Sequence, residues 1–242
     1  MSKPVHKNIV TFKVIARNAL FTDPITKIGG EKCTYQIPTY EALKGILSSV
    51  YWKPTFTWYI DKVRVIKQIQ TESKGIRPLK MSGGNDLAMY TYLKDVEYQI
   101  QAHFEWNDNR LDLIEDRNEN KHHNIAKRMI EKGGRRDVFL GTRECQGYVE
   151  PCEFGSGKGF YDDIGELAFG LMYHGIIYPD ESIKNDNSMC INFWNPKMHY
   201  GVIEFVRPEE CIFNKQIHSF KKKEFKFNEN YICLFDYLFI SS

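Results

Sequence analysis

Apolar residues recur at period two or at helical spacing in the order strand, helix, strand, strand, helix, strand. A Gly-rich run, FGSGKGF at 154–160, then leads into three short strand-like segments. Together these predict an α+β fold: a ferredoxin-like (RRM-like) βαββαβ domain over residues 1–155, then a small C-terminal antiparallel β-sheet and tail over 156–242.

Each element has its own local reason. In NIVTFKVIAR, residues 8–17, Val10, Phe12, Val14 and Ala16 share one face, which predicts a strand. A loop with Pro24 and Gly29-Gly30 follows. Thr39 can cap a helix over 40–52, where Leu43, Ile46, Leu47 and Val50 recur at helical spacing, and Pro54 stops it. Residues 55–67 read as a strand, and QTESKGIRPLKMSGGND as a basic connection. A long strand is expected over 87–106, with Val96, Tyr98, Ile100, Ala102, Phe104 and Trp106 alternating with polar neighbours. After a polar connection, a helix over about 120–132 ends on Gly133-Gly134, a left-handed C-cap. RRDVFLG begins the next strand, and segments near 165–178, 189–194 and 200–206 read as the antiparallel addition.

Composition bounds the function. The chain has 242 residues, enough for a real core, and a net charge of +2. That charge is uneven: residues 1–143 carry 24 Lys+Arg against 16 Asp+Glu, and residues 144–242 carry 9 against 15. The basic part suits an anionic partner. None of the six cysteines forms a C-x-x-C pair, so reduced, mostly buried thiols are expected, with neither a zinc site nor a disulfide framework. MSKPVHKNIV has no apolar signal core, and YICLFDYLFISS is too short to span a bilayer and reads as a strand or docking segment. A cytoplasmic protein with no membrane partner is the expectation.

The stretch NKHHNIAKR, residues 120–128, raises the chemical question. Adjacent His122 and His123 diverge on a helix, so they make a poor metal pair, and no H-x-x-x-H spacing occurs. Nearby Glu115, Asp116 and Glu119 read as solvated loop acids. A Lys-His pair at a helix N-terminus suits acid–base work on an anion such as a phosphodiester, and an exposed His on a polar turn also fits no function at all. FGSGKGF lacks the Walker ending and the dinucleotide spacing, and reads as a flexible turn. Basic residues interleave with Tyr51, Trp52, Trp58, Tyr59, Tyr90 and Tyr92, a pattern that fits either RNA binding on the sheet or an aromatic core with a basic rim.

Three stretches narrow these alternatives: ALFTDPITKIGGEKCTYQIPTYEALKGI, YWKPTF with IQTESKGIRPLK, and KGGRRDVFLGTRECQGYVEPCEFG. Over most of residues 8–210 they resemble the CRISPR-associated Cas-five family in its subtype I-C (Dvulg) form. From about Asn214 no family pattern is visible. Most of that large family are non-cutting subunits that cap the 5′ end of the guide RNA. The subtype I-C resemblance implies an endoribonuclease that cuts the repeat hairpin at the 3′ base of its stem. It then stays on the crRNA 5′ handle with the backbone and large subunits of the interference complex; double-stranded DNA is an open further partner.

The family's tyrosine falls on Tyr51 and its Lys-His pair on Lys121 and His122, leaving His123 a bystander. The implied chemistry needs no metal or other cofactor: the ribose 2′-OH attacks, giving a 2′,3′-cyclic phosphate and a 5′-OH. His122 would do acid–base work, Lys121 would stabilise charge and Tyr51 would orient the 2′-OH. Lys53, Lys74, Arg77, Arg135, Arg136 and Arg143 are the expected RNA contacts. A plain βαββαβ domain is taken to start both helices at one end of the sheet. That would leave Tyr51 and Lys121 a helix length apart, roughly 20 Å, unless the long 107–119 connection moves the second helix.

Overall fold

A computed structural model describes residues 7–182 and 187–219. Its elements are β1 (Val10–Ala19), α1 (Tyr40–Val50), β2 (Phe56–Val65), β3 (Thr71–Ile76), β4 (Ala88–Trp106), α2 (Glu119–Glu131), β5 (Val138–Phe139), β6 (Gln146–Pro151), β7 (Glu166–Ala168), β8 (Met172–Ile177), β9 (Ser188–Trp194), β10 (Lys197–His199), β11 (Val202–Glu204) and β12 (Phe213–Ser219). Short 3-10 turns cover Thr26–Gly29, Leu111–Asp116 and Pro208–Glu210. The fold is mixed α/β with antiparallel sheets and few helices.

The main sheet runs β5-β6-β1-β4-β2-β11-β10-β7, with β3 paired to β4. β4 is its spine. Val10 to Ala19 of β1 pair with Ala102 to Leu93 on one side, and Phe56 to Val65 of β2 pair with Trp106 to Tyr98 on the other. The alternation seen in the sequence therefore buries Phe12, Val14, Trp58, Ile60, Tyr98, Ile100 and Phe104 on one face. Leu43, Ile46, Leu47 and Val50 of α1, with Ala126 and Ile130 of α2, complete that core.

Both helix ends follow local rules. The Thr39 hydroxyl oxygen accepts from the Ala42 N–H at 3.2 Å, capping α1. At the end of α2, the Gly133 N–H donates to Ile130 O at 3.0 Å and the Gly134 N–H to Met129 O at 2.8 Å. This is a Schellman closure with Gly133 at φ 81°.

Several expectations need correcting. The connection after β2 contains β3, which pairs with the first third of β4 as a hairpin arm. The strands after residue 155 divide: β11, β10 and β7 extend the main sheet from β2, and β8, β9 and β12 form a separate three-stranded antiparallel sheet. The Gly-rich run is pinned. Gln99 accepts from the Gly155 N–H at 2.8 Å and donates to Ser156 O at 2.8 Å. The buried Arg64 guanidinium donates to Ser156 O, Gly157 O and Asp162 at 2.7–3.0 Å. The run thus straps the sheet face opposite the helices. Of the five described cysteines, all free, Cys145 is buried and the others are half-buried. The apolar tail YICLFDYLFISS lies outside the described residues. Among the described residues no helix is long and apolar enough to cross a membrane.

Candidate functional site

The end of α1 and the start of α2 meet at one end of the central strands β2 and β4. Phe56, five residues after Tyr51, pairs with Trp106, the last residue of β4. The connection from Trp106 feeds α2. The strand register therefore delivers both segments to the same place. The expected separation of a helix length is wrong: the Tyr51 hydroxyl lies 2.7 Å from His122 Nδ1. Tyr51 is the residue that ends α1, its backbone already extended at φ −157° and ψ 126°. That conformation turns its ring away from the helix, toward α2.

His122 is 0% exposed and Tyr51 only 4%. Phe56, Phe104 and Trp106 surround the imidazole, with ring centroids 5.3, 6.3 and 5.9 Å away. The other ring nitrogen, Nε2, lies 2.7 Å from the main-chain carbonyl oxygen of Asp116. A carbonyl only accepts, so Nε2 carries the proton. In the neutral ring Nδ1 then offers a lone pair, and the Tyr51 O–H donates to it. Burial lowers the His122 pKa, against the raising effect of Asp116, so the ring is neutral at neutral pH.

Asp116 organises the rest. Its carboxylate accepts from Lys121 Nζ at 2.6 Å and from the Thr55 hydroxyl at 2.8 Å. The same carboxylate lies 3.4 Å from His122 Nε2. Burial pushes its pKa up, and the Lys121 and Thr55 hydrogen bonds outweigh that and hold it below the usual carboxylate range. In the sequence Asp116 reads as a solvated loop acid, and Thr55 carries no signal of its own. No spacing signal in the chain pairs either residue with His122.

Next to Tyr51 an open cleft of ≈ 470 Å³ is lined by Ser48, Ser49, Trp52, Lys53, Pro54, Arg135 and Arg136. The structure thus gathers three of the six expected RNA contacts beside Tyr51. Lys74 and Arg77 sit on the hairpin arm instead. Lys74 is opposite Tyr90, sixteen residues along β4 from Trp106, roughly 50 Å at about 3.3 Å per residue. Lys74 also holds Glu72 at 2.8 Å and Asn18 at 2.6 Å. Arg143 lies over the Phe139 ring at 5.9 Å, next to Glu144, which accepts from Tyr92 at that same far end. His123 is tied to Ile9 O at 2.9 Å and anchors the start of β1. Among the described residues no three His, Cys, Asp or Glu side chains converge as a metal-ligand set.

The family model described as "CRISPR-associated protein (Cas_Cas5)", in its Cas5d form, matches residues 9–206. The chain is 33% identical over 218 residues to the CRISPR pre-crRNA endoribonuclease Cas5d of Mannheimia succiniciproducens, covering 77% of this chain and 89% of that one. It is 26% identical over 172 residues to the protein of the same name from Thermus thermophilus, covering 66% and 72%. Among solved structures, one described as a CRISPR-associated protein superposes with a TM-score of 0.73 at 38% identity, covering 86% of this chain and 96% of that one. A functionally uncharacterized protein from Streptococcus mutans gives a TM-score of 0.71 at 38% identity and the same coverage.

Proposed function

The chain belongs to the Cas5d family of CRISPR-associated proteins, and from that premise we propose that it is an endoribonuclease that cuts CRISPR precursor RNA. The reading places the cut at the 3′ base of the repeat hairpin. The product stays bound by its 5′ handle, with the chain as a subunit beside the backbone and large subunits of a type I-C interference complex. The β6-β1-β4-β2 core with its two crossover helices is taken as a ferredoxin-like domain, with the division near residue 155 retained as a working boundary. A cytoplasmic location and contact with double-stranded DNA belong to the same proposal.

The observation that carries it is the 2.7 Å contact between Tyr51 and a buried, neutral His122, beside a basic cleft. RNA brings its own nucleophile, so the protein has only to move protons and stabilise charge. The RNA backbone lies in the cleft, its phosphates against Lys53, Arg135 and Arg136. As the 2′-OH attacks phosphorus, its proton passes to the Tyr51 oxygen while the Tyr51 proton passes to His122 Nδ1. The Lys121 ammonium stabilises charge on the phosphorane. The proton returns through Tyr51 to the departing 5′ oxygen, which leaves a 2′,3′-cyclic phosphate and a 5′-OH. In this form Tyr51 faces the RNA and His122 acts behind it.

Incubating the protein with labelled repeat RNA in EDTA tests the reading. A single cut with a cyclic phosphate end is expected. Cutting only with added magnesium would replace the mechanism, and binding without cutting in either condition would leave a non-cutting scaffold that caps the 5′ handle.

A further inference from the structure

We propose that Asp116 is the positioning residue of this cleavage site, its main-chain carbonyl fixing the His122 ring and its carboxylate holding Lys121 and compensating the imidazolium formed when Nδ1 takes a proton. The proposal rests on the Tyr51–His122 cleavage reading above.

The geometry separates two jobs on one residue. The carbonyl oxygen of Asp116 accepts from His122 Nε2 at 2.7 Å and from the Asn118 N–H at 2.8 Å. The Asn118 contact ties this carbonyl to the residue that caps α2, since the Asn118 side chain accepts from the Lys121 N–H at 3.0 Å. The ring tautomer is therefore set by backbone, not by a side chain. The carboxylate has a different set of partners: Lys121 Nζ at 2.6 Å, the fully buried Thr55 hydroxyl at 2.8 Å and His122 Nε2 at 3.4 Å.

The charged groups facing His122 are Asp116 before α2, Lys121 on α2 and Lys53 after α1. Both lysines oppose a positive ring, and Asp116 alone among them favours it. When the Tyr51 proton reaches Nδ1, the ring becomes a cation within an aromatic shell. A burden of that kind needs a nearby anion that is already ionised and already oriented. Thr55, ahead of β2, orients that anion, and the same anion fixes the position of the Lys121 ammonium. One carboxylate thus links the proton acceptor to the charge stabiliser.

The test uses the full chain with Asp116→Asn, which keeps the carbonyl and removes the charge. Nitrogen NMR of the His122 ring is followed with pH, beside single-turnover cleavage of repeat RNA in EDTA and RNA binding by anisotropy. The ring should keep its Nε2–H tautomer and titrate about one pH unit lower, having lost its nearest anion. The acid limb of the rate profile should follow, the plateau rate should fall roughly tenfold or more, and RNA affinity should stay within about twofold. An unchanged titration and rate, with Tyr51→Phe inactive, would overturn the role of Asp116 and leave the cleavage site standing. Should Tyr51→Phe cut like the parent, the cleavage reading itself fails, and the ring titration still reports on Asp116. If Asp116→Asn does not fold, Thr55→Val serves in its place: a severalfold slower cut at unchanged RNA affinity supports the proposal, and parental rate and titration overturn it.

Discussion

Tyr51 and His122 form a pair whose chemistry depends on burial. The imidazole has both nitrogens bonded, one to a main-chain carbonyl and one to the tyrosine hydroxyl. Removing the hydroxyl alone is the clean perturbation. Tyr51→Phe keeps the ring that packs on Phe56, so cleavage should fall roughly 100- to 10,000-fold with RNA affinity barely changed, and the loss of the partner of buried His122 Nδ1 should lower stability by only about 1–2 kcal/mol. His122→Ala is a different experiment. It leaves a cavity among Phe56, Phe104 and Trp106 and strips partners from Tyr51 and the Asp116 carbonyl, so it should also lower stability by about 2–4 kcal/mol. Parallel denaturant melts of the two variants distinguish these outcomes. Residue types were legible here: Tyr51, Lys121 and His122 stood out through motif resemblance. Asp116 and Thr55 did not, because an acid in a polar connection looks the same whether it is solvated or clamped.

At the scale of elements, local signals agree with the structure. Thr39 and Gly133-Gly134 bound the helices where capping chemistry places them. Short strands were harder to place. β3 has a Gly and charged residues and acquires strand geometry from β4, not from its own pattern. The turn between β5 and β6 makes a sharp demand. Gly141 has φ +95°, and a Cβ there would sit 2.0 Å from the Leu20 carbonyl oxygen. Gly141→Ala should therefore destabilise the fold by about 3 kcal/mol or more, measured as a shift in urea midpoint. The two basic groups also divide by element. Alanine at Lys53, Arg135 and Arg136 should reduce both RNA affinity and cleavage. Alanine at Lys74 and Arg77, far along β4, should leave the rate on bound RNA unchanged. Every basic side chain that touches a phosphate adds about 0.7 to the salt slope of binding on single-stranded RNA, so its alanine variant should show a slope smaller by that amount. Equal single-turnover rates in the two sets would contradict this division.

For the whole molecule, buried histidines link folding to pH. His174 is fully buried, stacked on Tyr40 at 4.3 Å, with Nε2 donating to Val206 O at 3.1 Å. Burial pushes its pKa down to about 4 from an ordinary 6.5. Such a group adds stability that is complete above the unfolded pKa and lost as pH falls through the folded one. Between pH 6.5 and 4 its share is about 3 kcal/mol, and the lowered pKa of His122 adds in the same direction. His103 runs the other way: burial lowers its pKa, but hydrogen bonds to Asp61 and Glu105 outweigh that and raise it. Its contribution is present at acid pH and lost as pH rises past the folded value. Melting temperature should thus fall from pH 6.5 to 4, and His174→Phe should flatten that fall. A scan with no acid-side loss in the parent chain would refute this assignment.

Helix caps, the long alternating strands, the basic bias of residues 1–143 and the candidate residues Tyr51, Lys121 and His122 are all legible in the chain before it folds. The caps, strands and charge bias are local properties, fixed by dihedral preference, side-chain period and composition, whereas the three site residues follow from motif resemblance. Contact was decided only by the tertiary structure. Pairing Phe56 with Trp106 brings the end of α1 to the start of α2, and that register turns a tyrosine and a histidine seventy-one positions apart into a 2.7 Å hydrogen bond. The same register brings Thr55 to the carboxylate of Asp116, and the separate pairing of β3 with β4 carries Lys74 and Arg77 to the far end of β4. Strand register is set by many weak side-chain choices acting together across the sheet, so no single stretch of the chain announces it.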